Sequence, residues 1–383
     1  MSKPDAPLRN NLREIRTRLG LSQQELADQV SVTRQAISAI EAGQSAPSTT
    51  IALRLVRALG CRLEDLFWLD EPAPVLEAVP AQSFPVGEPA RLALARVGGR
   101  WVAHPLSGEQ AFRTELLPAD GEGLLEAEVC HGASSLQVRL LDEPENLANT
   151  VAVAGCTPAL SLWARAAERW HPGLRVHWTF ANSTAALEAL ARGEIHAAGS
   201  HLYDEATGEH NAPIARRLLP GRRLVLVNLA IWEEGLLVRQ GNPKGLRRGA
   251  DLAQCGVRLV NREPGAGARQ LLERTLVREG VDPRAVAGFE RIAHSHVEVA
   301  QAVAAGEADA GVSAASVASA YGLGFVPLHQ VRYDMVIPRE YLEEVPVRQW
   351  LSSLNHRWVR SQLEALGGYD TSLTGEVVAA IDP

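Results

Sequence analysis

From Thr150 onward the chain alternates short apolar runs with amphipathic segments, and this alternation constrains the fold more than any other feature of the sequence. TVAVAG and LRVHWTF have the composition of buried strands, whereas TPALSLWARAAERW and STAALEALARG repeat apolar residues at helical spacing. Strands that alternate with such helices form mostly parallel sheets covered on both faces. Residues 150–383 supply enough strands for two sheets, so we predict an α/β domain with two lobes.

The first seventy residues follow a different pattern, a series of short helices separated by capping residues. Ser22 and Glu25 form a capping box, Thr33 is placed to cap the helix TRQAISAIEAG, and Gly43 ends that helix. Two short helices joined by a tight turn, the second with a small and polar outer face, make a helix-turn-helix. We therefore predict an all-α DNA-binding domain over residues 1–70.

The outer face of the second of these helices holds the candidate contacts to DNA bases. Arginine can bond guanine through two hydrogen bonds, and glutamine can bond adenine in the same way. SQQELADQVSVTRQAISAIEAGQSAPS resembles the phage-repressor (XRE, Cro/C1-type) DNA-binding family. The resemblance implies base contacts from Arg34, Gln35, Ser38 and Ala39 beside Thr33, and phosphate contacts from Gln23 and Gln44. It also implies a homodimer on double-stranded operator DNA; a helical protein-interaction bundle is the alternative.

Composition restricts where such a protein acts and how much of it contacts DNA. The net charge is −7, and residues 1–70 hold nine Lys/Arg against eight Asp/Glu, so DNA contact must be local. The four cysteines lie far apart without a CxxC pair, as expected in a reducing cytosol. The N-terminus lacks an apolar leader, and no apolar run is long enough to span a membrane. We expect a cytoplasmic protein.

Prolines mark a joint between this domain and the rest of the chain. Pro72, Pro74, Pro80, Pro85 and Pro89 predict a linker over residues 71–90, because proline at this density breaks helices. The following residues, 91–149, contain strand-like runs and a Gly98–Gly99 hairpin signal, which predicts a small β-rich connector. His104 and His131 in this connector are expected to be structural.

The strand-to-helix turns of the α/β segment are candidates for holding an anion. In open α/β sheets ligands bind beyond the carboxyl ends of the strands, where helix starts offer unpaired N–H groups and partial positive charge. The turns AGCTPAL, FANSTAAL, NREPGAGAR and AHSHVEV are rich in small or hydroxyl-bearing residues. Several such starts that face one cleft would form an oxyanion site. At any one turn, a simple helix cap is the alternative.

The α/β segment is similar to the type II periplasmic-binding-protein fold, and in NSTAALEALARGEIHA, NREPGAGAR and GGYDTSLTGE to its molybdate- and tungstate-binding branch. The resemblance implies lobes at about 150–233 with 326–383 and at 234–325, joined by hinge strands near 230–238 and 325–330. It implies ligand contacts from Thr157, Asn182, Ser183, Thr184, Gly265, Ala266, Gly267 and Arg269. These turns have fewer hydroxyl side chains than in that branch, so an oxyanion-bearing cofactor or a small organic acid is an alternative ligand.

Histidine-containing segments add weaker candidates. HLYDEATGEHN places His201 and Tyr203 near the expected cleft mouth. His201, Asp204 and His210 could instead hold a metal, although loop spacing gives that little support, so we expect no metal. Ser295 is expected to cap a helix and contact the ligand, with His294 and His296 beside it.

The sequence therefore predicts a multidomain regulator of transcription that senses a small anion, with the oxyanion as effector and no catalytic cofactor. The sequence contains no nucleophile elbow, P-loop, HExxH motif or dinucleotide-binding fingerprint, so we expect the protein not to be an enzyme. An enzyme with an autoregulatory DNA-binding domain and a DNA-binding scaffold with a vestigial sensor remain alternatives.

Overall fold

The structure is a computed structural model, and it describes residues 7–69, 73–81, 89–111, 116–124 and 135–382. The chain divides into two compact units, Met1–Pro74 and Val75–Pro383. Of the predicted features, the linker residues Pro72 and Pro85 and the connector residue His131 lie outside the described residues.

The first unit is a bundle of short helices, which confirms the predicted all-α domain. Its elements are β1 (Leu8–Asn10), α1 (Leu12–Arg18), α2 (Gln23–Val30), α3 (Arg34–Glu41), α4 (Thr49–Leu59), α5 (Leu63–Leu66) and β2 (Phe67–Leu69). Ser22 and Glu25 form the predicted capping box at α2, and Thr33 caps α3. Apolar side chains at helical spacing, such as Leu26 and Ile37, are fully buried between the helices.

The second unit begins with a closed five-stranded barrel. Its strands are β3 (Val75–Pro80), β4 (Pro89–Val97), β5 (Arg100–Pro105), β6 (Gly121–Leu124) and β7 (Leu136–Leu140), and they pair in the order β3-β5-β4-β6-β7. The Gly98–Gly99 hairpin joins β4 to β5. β3 lies inside the segment predicted to be a linker, which corrects that interpretation. Its prolines do not break the strand because Pro80 is its last residue and Pro74 precedes it.

One continuous sheet of ten strands follows the barrel, rather than the two sheets that the sequence indicated. It contains β8 (Thr150–Gly155), β9 (Arg175–Phe180), β10 (Ala197–Ser200), β13 (Leu224–Val238), β14 (Leu259–Arg262), β15 (Ile292–Ala293), β16 (Ala310–Ala314), β17 (Gly324–Pro338), β18 (Tyr369–Asp370) and β19 (Val377–Ile381). The small hairpin β11 (Tyr203–Asp204) and β12 (Glu209–His210) lies apart from it. β8 pairs in parallel with β9 and β10, as β14 does with β15 and β16.

Two long antiparallel strands, β13 and β17, join the halves of this sheet. Each has 15 residues, and they pair along their whole lengths. The first half of β13 also pairs with β19, and its second half pairs with β16. β13 continues through Glu233–Glu234–Gly235, and Glu234 is buried within the sheet. Gly235 is required there, since a Cβ would lie 2.1 Å from the carbonyl oxygen of Val326.

Helices cover both halves of the sheet, so the predicted multidomain, α/β fold class is confirmed. They are α6 (Pro144–Leu147), α7 (Ala159–Trp170), α8 (Ser183–Ala191), α9 (Ala212–Leu218), α10 (Gly267–Arg278), α11 (His296–Ala304), α12 (Ala315–Ala320), α13 (Val345–Leu354) and α14 (Arg357–Leu366). Lobe I denotes the half with β8–β10, and lobe II denotes the half with β14–β16. None of the helices in the described part of the chain is long and apolar enough to cross a membrane.

A buried histidine lies where the barrel meets lobe I. His104 of β5 is almost completely buried, with its ring 4.7 Å from that of His177 on β9. Burial, together with the nearby imidazole of His196, lowers the pKa of His104 to about 4. His104 is therefore neutral in the folded protein at neutral pH, as expected for a structural residue.

Acidification should destabilise the protein partly through His104. Its pKa is lowered on folding, so the unfolded chain binds the extra proton and stability falls as the pH drops from about 6.5 towards 4. We expect this group to contribute about 2 kcal/mol of the loss between pH 7 and pH 5. Denaturant unfolding of H104F across this range should show a shallower pH dependence than wild type, whereas H294Q, at an exposed histidine, should not. An unchanged slope in H104F would contradict the assignment.

Candidate functional site

The recognition face of the first unit is exposed along α3. The side chains of Thr33, Arg34, Gln35 and Ser38 are exposed, Ala39 is half-buried, and Gln44 is exposed after the helix. The opposite face of α3 buries Ile37 and Ile40 in the bundle. The helix thus presents one arginine, one glutamine and small residues on a single outer face, which suits entry into a major groove.

A buried ionic network holds α3 against the helices that precede it. Glu41 accepts hydrogen bonds from Arg16 at 2.6 Å and from the side-chain amide of Gln23 at 2.8 Å. Burial opposes ionisation of Glu41, but these hydrogen bonds outweigh it and lower the pKa of the carboxyl. Gln23, expected at a phosphate, is therefore engaged within the domain, where it fixes α2 relative to α3.

The starts of α8 and α10, from opposite lobes, touch each other across the cleft. The Thr184 hydroxyl donates to the carbonyl of Gly265 at 3.0 Å, and the Thr184 backbone N–H lies 3.3 Å from the same oxygen. The side-chain amide of Asn182 reaches the carbonyl of Pro264 at 3.4 Å. Gly265 has a φ of +90°, and a Cβ there would lie 3.0 Å from Asn182 Oδ1. A glycine is thus needed both for the turn and for this close approach.

A second contact between the lobes lies near the mouth of the cleft. The backbone N–H of Tyr203 donates to the Gln270 side chain of α10 at 3.1 Å. The ring of Tyr203 also packs under the guanidinium of Arg274, 4.4 Å from its centroid. The described conformation therefore holds the two lobes together through α10.

A pocket of about 420 Å³ lies between the lobes beside these contacts. Lobe I lines it with Thr184 and Arg217, and lobe II lines it with Gly265, Ala266 and Arg269. Its size is within the range of small-molecule sites, which begins at about 300 Å³. Arg269 is largely buried and is held by Glu273 at 2.8 Å.

The helix starts differ in how many backbone donors they leave available. The side chain of Asn182 caps α8, and the side chain of Ser295 caps α11. The N-cap of α10 is Ala266, which provides no side-chain hydrogen bond. Of the three starts at α8, α10 and α11, α10 is therefore the one whose first-turn N–H groups, at the wall of the pocket, have no side-chain cap.

The remaining predicted ligand residues lie deeper in lobe I or beside His296. Thr157 is buried at the start of α7, where its hydroxyl lies 3.4 Å from that of Tyr369. Ser183 is buried, and its hydroxyl lies 3.2 Å from Nδ1 of His201. Gly267 packs against His201 so closely that a Cβ would lie 2.5 Å from the imidazole. His201, expected near the mouth, therefore lies in the floor of the cleft.

The floor of the cleft contains an ionisable pair that the sequence did not reveal. Nε2 of His201 lies 3.2 Å from Oε1 of Glu234, and both side chains are buried. Burial opposes protonation of His201, but the carboxylate of Glu234, together with the nearby sulfur of Cys156, raises its pKa to about 10. Nε2 of His201 and both oxygens of Glu234 have no hydrogen-bond partner among the described residues.

Lobe II adds two further polar groups to this floor. His296, the first residue of α11, is buried, and its Nδ1 lies 3.0 Å from the hydroxyl of Ser313. Burial and the nearby Arg262 hold the pKa of His296 well below its usual range, so its imidazole is neutral. Within the described part of the chain, Nε2 of His296 and Nη1 of Arg262 have no hydrogen-bond partner. Orphaned buried polar atoms of this kind are rare in folded proteins.

Sequence analysis missed Glu234, Arg262 and Cys156 as parts of this site. None of the three was given a role in the sequence interpretation. Position is the signal that could have identified two of them, because Cys156 follows β8 and Arg262 ends β14, and both strands lead to a candidate turn. Glu234 lies inside β13 and has no such signal.

The metal alternative suggested for the 201–211 loop does not form. Asp204 pairs with Arg217 at 2.5 Å and accepts a hydrogen bond from Thr207. His210 packs edge-to-face against Tyr203 instead of converging with Asp204. Within the described residues, the potential metal ligands that group with His201 are Cys156 and His296.

The approach of Gly265 to lobe I gives a stability prediction with a matched control. G265A and G280A each place a side chain at a positive φ, but only Gly265 has neighbours within 4 Å. Both variants should lose about 1–2 kcal/mol from backbone strain. G265A should lose about 1–2 kcal/mol more, because the bonds from Thr184 and Asn182 must lengthen. Equal free energies of denaturant unfolding for G265A and G280A would show that the contact between the lobes does not stabilise the protein.

Comparison with known proteins finds a family match for each of the two parts of the chain. Residues 12–66 match a helix-turn-helix family model, and residues 164–355 match the model of the PBP superfamily domain, which is half of the chain. The uncharacterized protein YvgK of Bacillus subtilis is 36% identical over 199 residues, which are 52% of this chain and 64% of YvgK. The chain thus spans less than two thirds of that relative's length.

Other similarities cover the first unit alone or the sheet-containing part. The uncharacterized HTH-type transcriptional regulator YgzD of Bacillus subtilis is 44% identical over 64 residues, which are 17% of this chain and 97% of YgzD. An ABC-type phosphate transport receptor from Vibrio cholerae overlays 57% of this chain and 98% of its own, with a TM-score of 0.41 and 16% identity. On the strength of the family models, this chain belongs to the PBP superfamily-domain family and carries an XRE-type helix-turn-helix domain at its N-terminus.

Proposed function

We propose that the protein is a one-component regulator of transcription, which binds operator DNA through α3 and senses a small anion in the pocket between the lobes. It acts in the cytoplasm as a homodimer. The effector is an oxyanion of the molybdate or tungstate type, or a molecule that bears such a group. The observation that carries this proposal is the pocket of about 420 Å³ lined by both lobes, beside the contact between Thr184 and Gly265.

The exposed face of α3 supports the DNA-binding part of the proposal. Arg34 and Gln35 are free to reach base edges, whereas Gln23 is held by Glu41 and sets the angle of the helix. A single recognition helix per chain favours a two-fold dimer, with half-sites about one helical turn apart. Contacts to base edges give sequence specificity, whereas contacts to phosphates position the domain on the duplex. A local recognition face is therefore compatible with a chain that is acidic as a whole.

The lining of the pocket supports an anion as effector. Arg217 and Arg269 line it, and the start of α10 directs backbone N–H groups and partial positive charge towards it. Pairing with Asp204 and Glu273 offsets much of the charge of the two arginines. The site therefore suits a ligand that accepts hydrogen bonds at a defined group, and its volume also accommodates an organic body.

Closure of the lobes is the step by which an effector would act on DNA binding. A ligand that touches both Thr184 and Gly265 binds the closed form better than an open form, and this difference sets how far the equilibrium shifts. In a homodimer, a change in lobe geometry alters the distance between the two recognition helices.

The role of Arg34 can be tested on an operator selected from random DNA. R34A should weaken operator binding by about 1–3 kcal/mol at constant salt, because one bidentate contact to guanine is lost. R62A is the matched control, since Arg62 is exposed on the same unit but lies outside α3. Gel-shift titration measures both, and equal affinities for R34A and wild type would refute the base contact.

The effector can be sought by thermal unfolding of the full chain. Molybdate, tungstate, sulfate, phosphate and small organic acids are each added at matched ionic strength. An effector at 100 times its Kd should stabilise the protein by about 2.7 kcal/mol and raise the Tm by about 3–5 °C. The shift should be smaller in G265A than in G280A. If no anion raises the Tm of wild type, the anion assignment is wrong.

A further inference from the structure

We propose that Cys156, His201 and His296 form a binding site for a zinc-class metal ion in the floor of the cleft, with Glu234 as the residue that orients His201. The proposal goes beyond the anion pocket, which lies on other residues. It rests on the juxtaposition of one thiol and two imidazoles, each buried and each contributed by a different segment of the chain.

The three donor atoms already lie close together. One ligand atom from each of Cys156, His201 and His296 falls within 4.8 Å of the others, and Sγ of Cys156 is 3.8 Å from Nδ1 of His201. Around a tetrahedral zinc ion with bonds of about 2.0–2.3 Å, ligand atoms are about 3.3–3.7 Å apart. The donor atoms must therefore approach one another by about 1 Å to bind the ion, a distance that small side-chain rotations cover.

The types of donor select the class of metal. A thiolate with two imidazoles favours zinc and similar borderline or soft ions over magnesium and calcium, which prefer oxygen ligands. Nε2 of His296 is buried without a partner among the described residues, so it is available to an ion. Because protons compete with an ion for these donor atoms, binding would weaken as the pH falls.

The neighbours of both histidines match the outer shell of a metal site. Ligating histidines usually bond a carboxylate or another oxygen through their second ring nitrogen, which fixes the ring. Glu234 lies 3.2 Å from Nε2 of His201, and the hydroxyl of Ser313 lies 3.0 Å from Nδ1 of His296. The buried charge of Glu234 would also offset that of the ion. Arg262, the nearest cation from lobe II, is paired with Glu263 at 2.8 Å.

The ion would connect the two lobes. Cys156 follows β8 and His201 follows β10 in lobe I, whereas His296 begins α11 in lobe II. Three protein ligands leave a tetrahedral ion with one open position, as in metal sites that bind an exogenous ligand. The ion would therefore stabilise the closed arrangement of the lobes directly.

Cobalt(II) is the probe for the experiment, because its thiolate complexes have a charge-transfer band in the near ultraviolet. Tag-free full-length protein is stripped with a chelator, shown by circular dichroism to be folded, and titrated without DNA or anion. We expect one equivalent of cobalt to bind with this band, zinc to displace it, and zinc to raise the Tm. The result is independent of the anion screen, so either proposal can fail alone.

Matched variants assign the ligands. C156S should lose the band, and both C156S and H296Q should bind zinc at least roughly 100-fold more weakly, whereas C255S and H294Q, at exposed positions, should bind as wild type. E234Q should keep the band and weaken zinc binding roughly 10–100-fold, as loss of an orienting partner does. The proposal is overturned if folded wild type binds no stoichiometric cobalt, if the band survives in C156S, or if H296Q binds zinc as tightly as wild type.

Discussion

The arrangement of the site depends on the pairing of β13 and β17, which run through both lobes as one hydrogen-bonded ribbon of 15 residues a side. Because the ribbon is shared, lobe I and lobe II cannot separate by breaking the sheet and must move by bending it. Register shifts next to Asn228 and Glu234 mark where the ladder is irregular and bending is easiest. Glu234, buried beside one of these irregularities, places a charged group at the floor of the cleft.

Burial of that carboxylate has consequences for the whole floor. A buried charge is costly unless it is paired and hydrogen-bonded, and His201 supplies the charge without a well-aligned hydrogen bond. The unpartnered atoms of Glu234 and His296 lie in the same region, which makes this the least satisfied part of the described core. Functional sites often carry such local costs, and the surrounding packing of Trp232 and Tyr333 maintains the arrangement.

Sequence patterns predicted the elements well and the floor of the cleft poorly. The caps at Ser22, Thr33 and Ser295 were predictable because capping depends on local spacing, and the structure has each of them. The contact of Thr184 with Gly265 joins residues 81 positions apart, so no local pattern specifies its geometry. Glu234 was missed because a carboxylate within a central strand contradicts strand patterning, and only its tertiary partner His201 explains it.

Coupling between the two units is the central claim, and operator binding in the presence of an effector tests it most directly. Fluorescence anisotropy of a labelled operator is measured with the full chain while the concentration of the stabilising anion is raised at constant ionic strength. The account predicts that the operator Kd changes at least fivefold in wild type and less in G265A, with G280A behaving as wild type, since couplings of this kind are typically about 1–3 kcal/mol. An operator Kd that stays constant while the anion saturates the protein would contradict it.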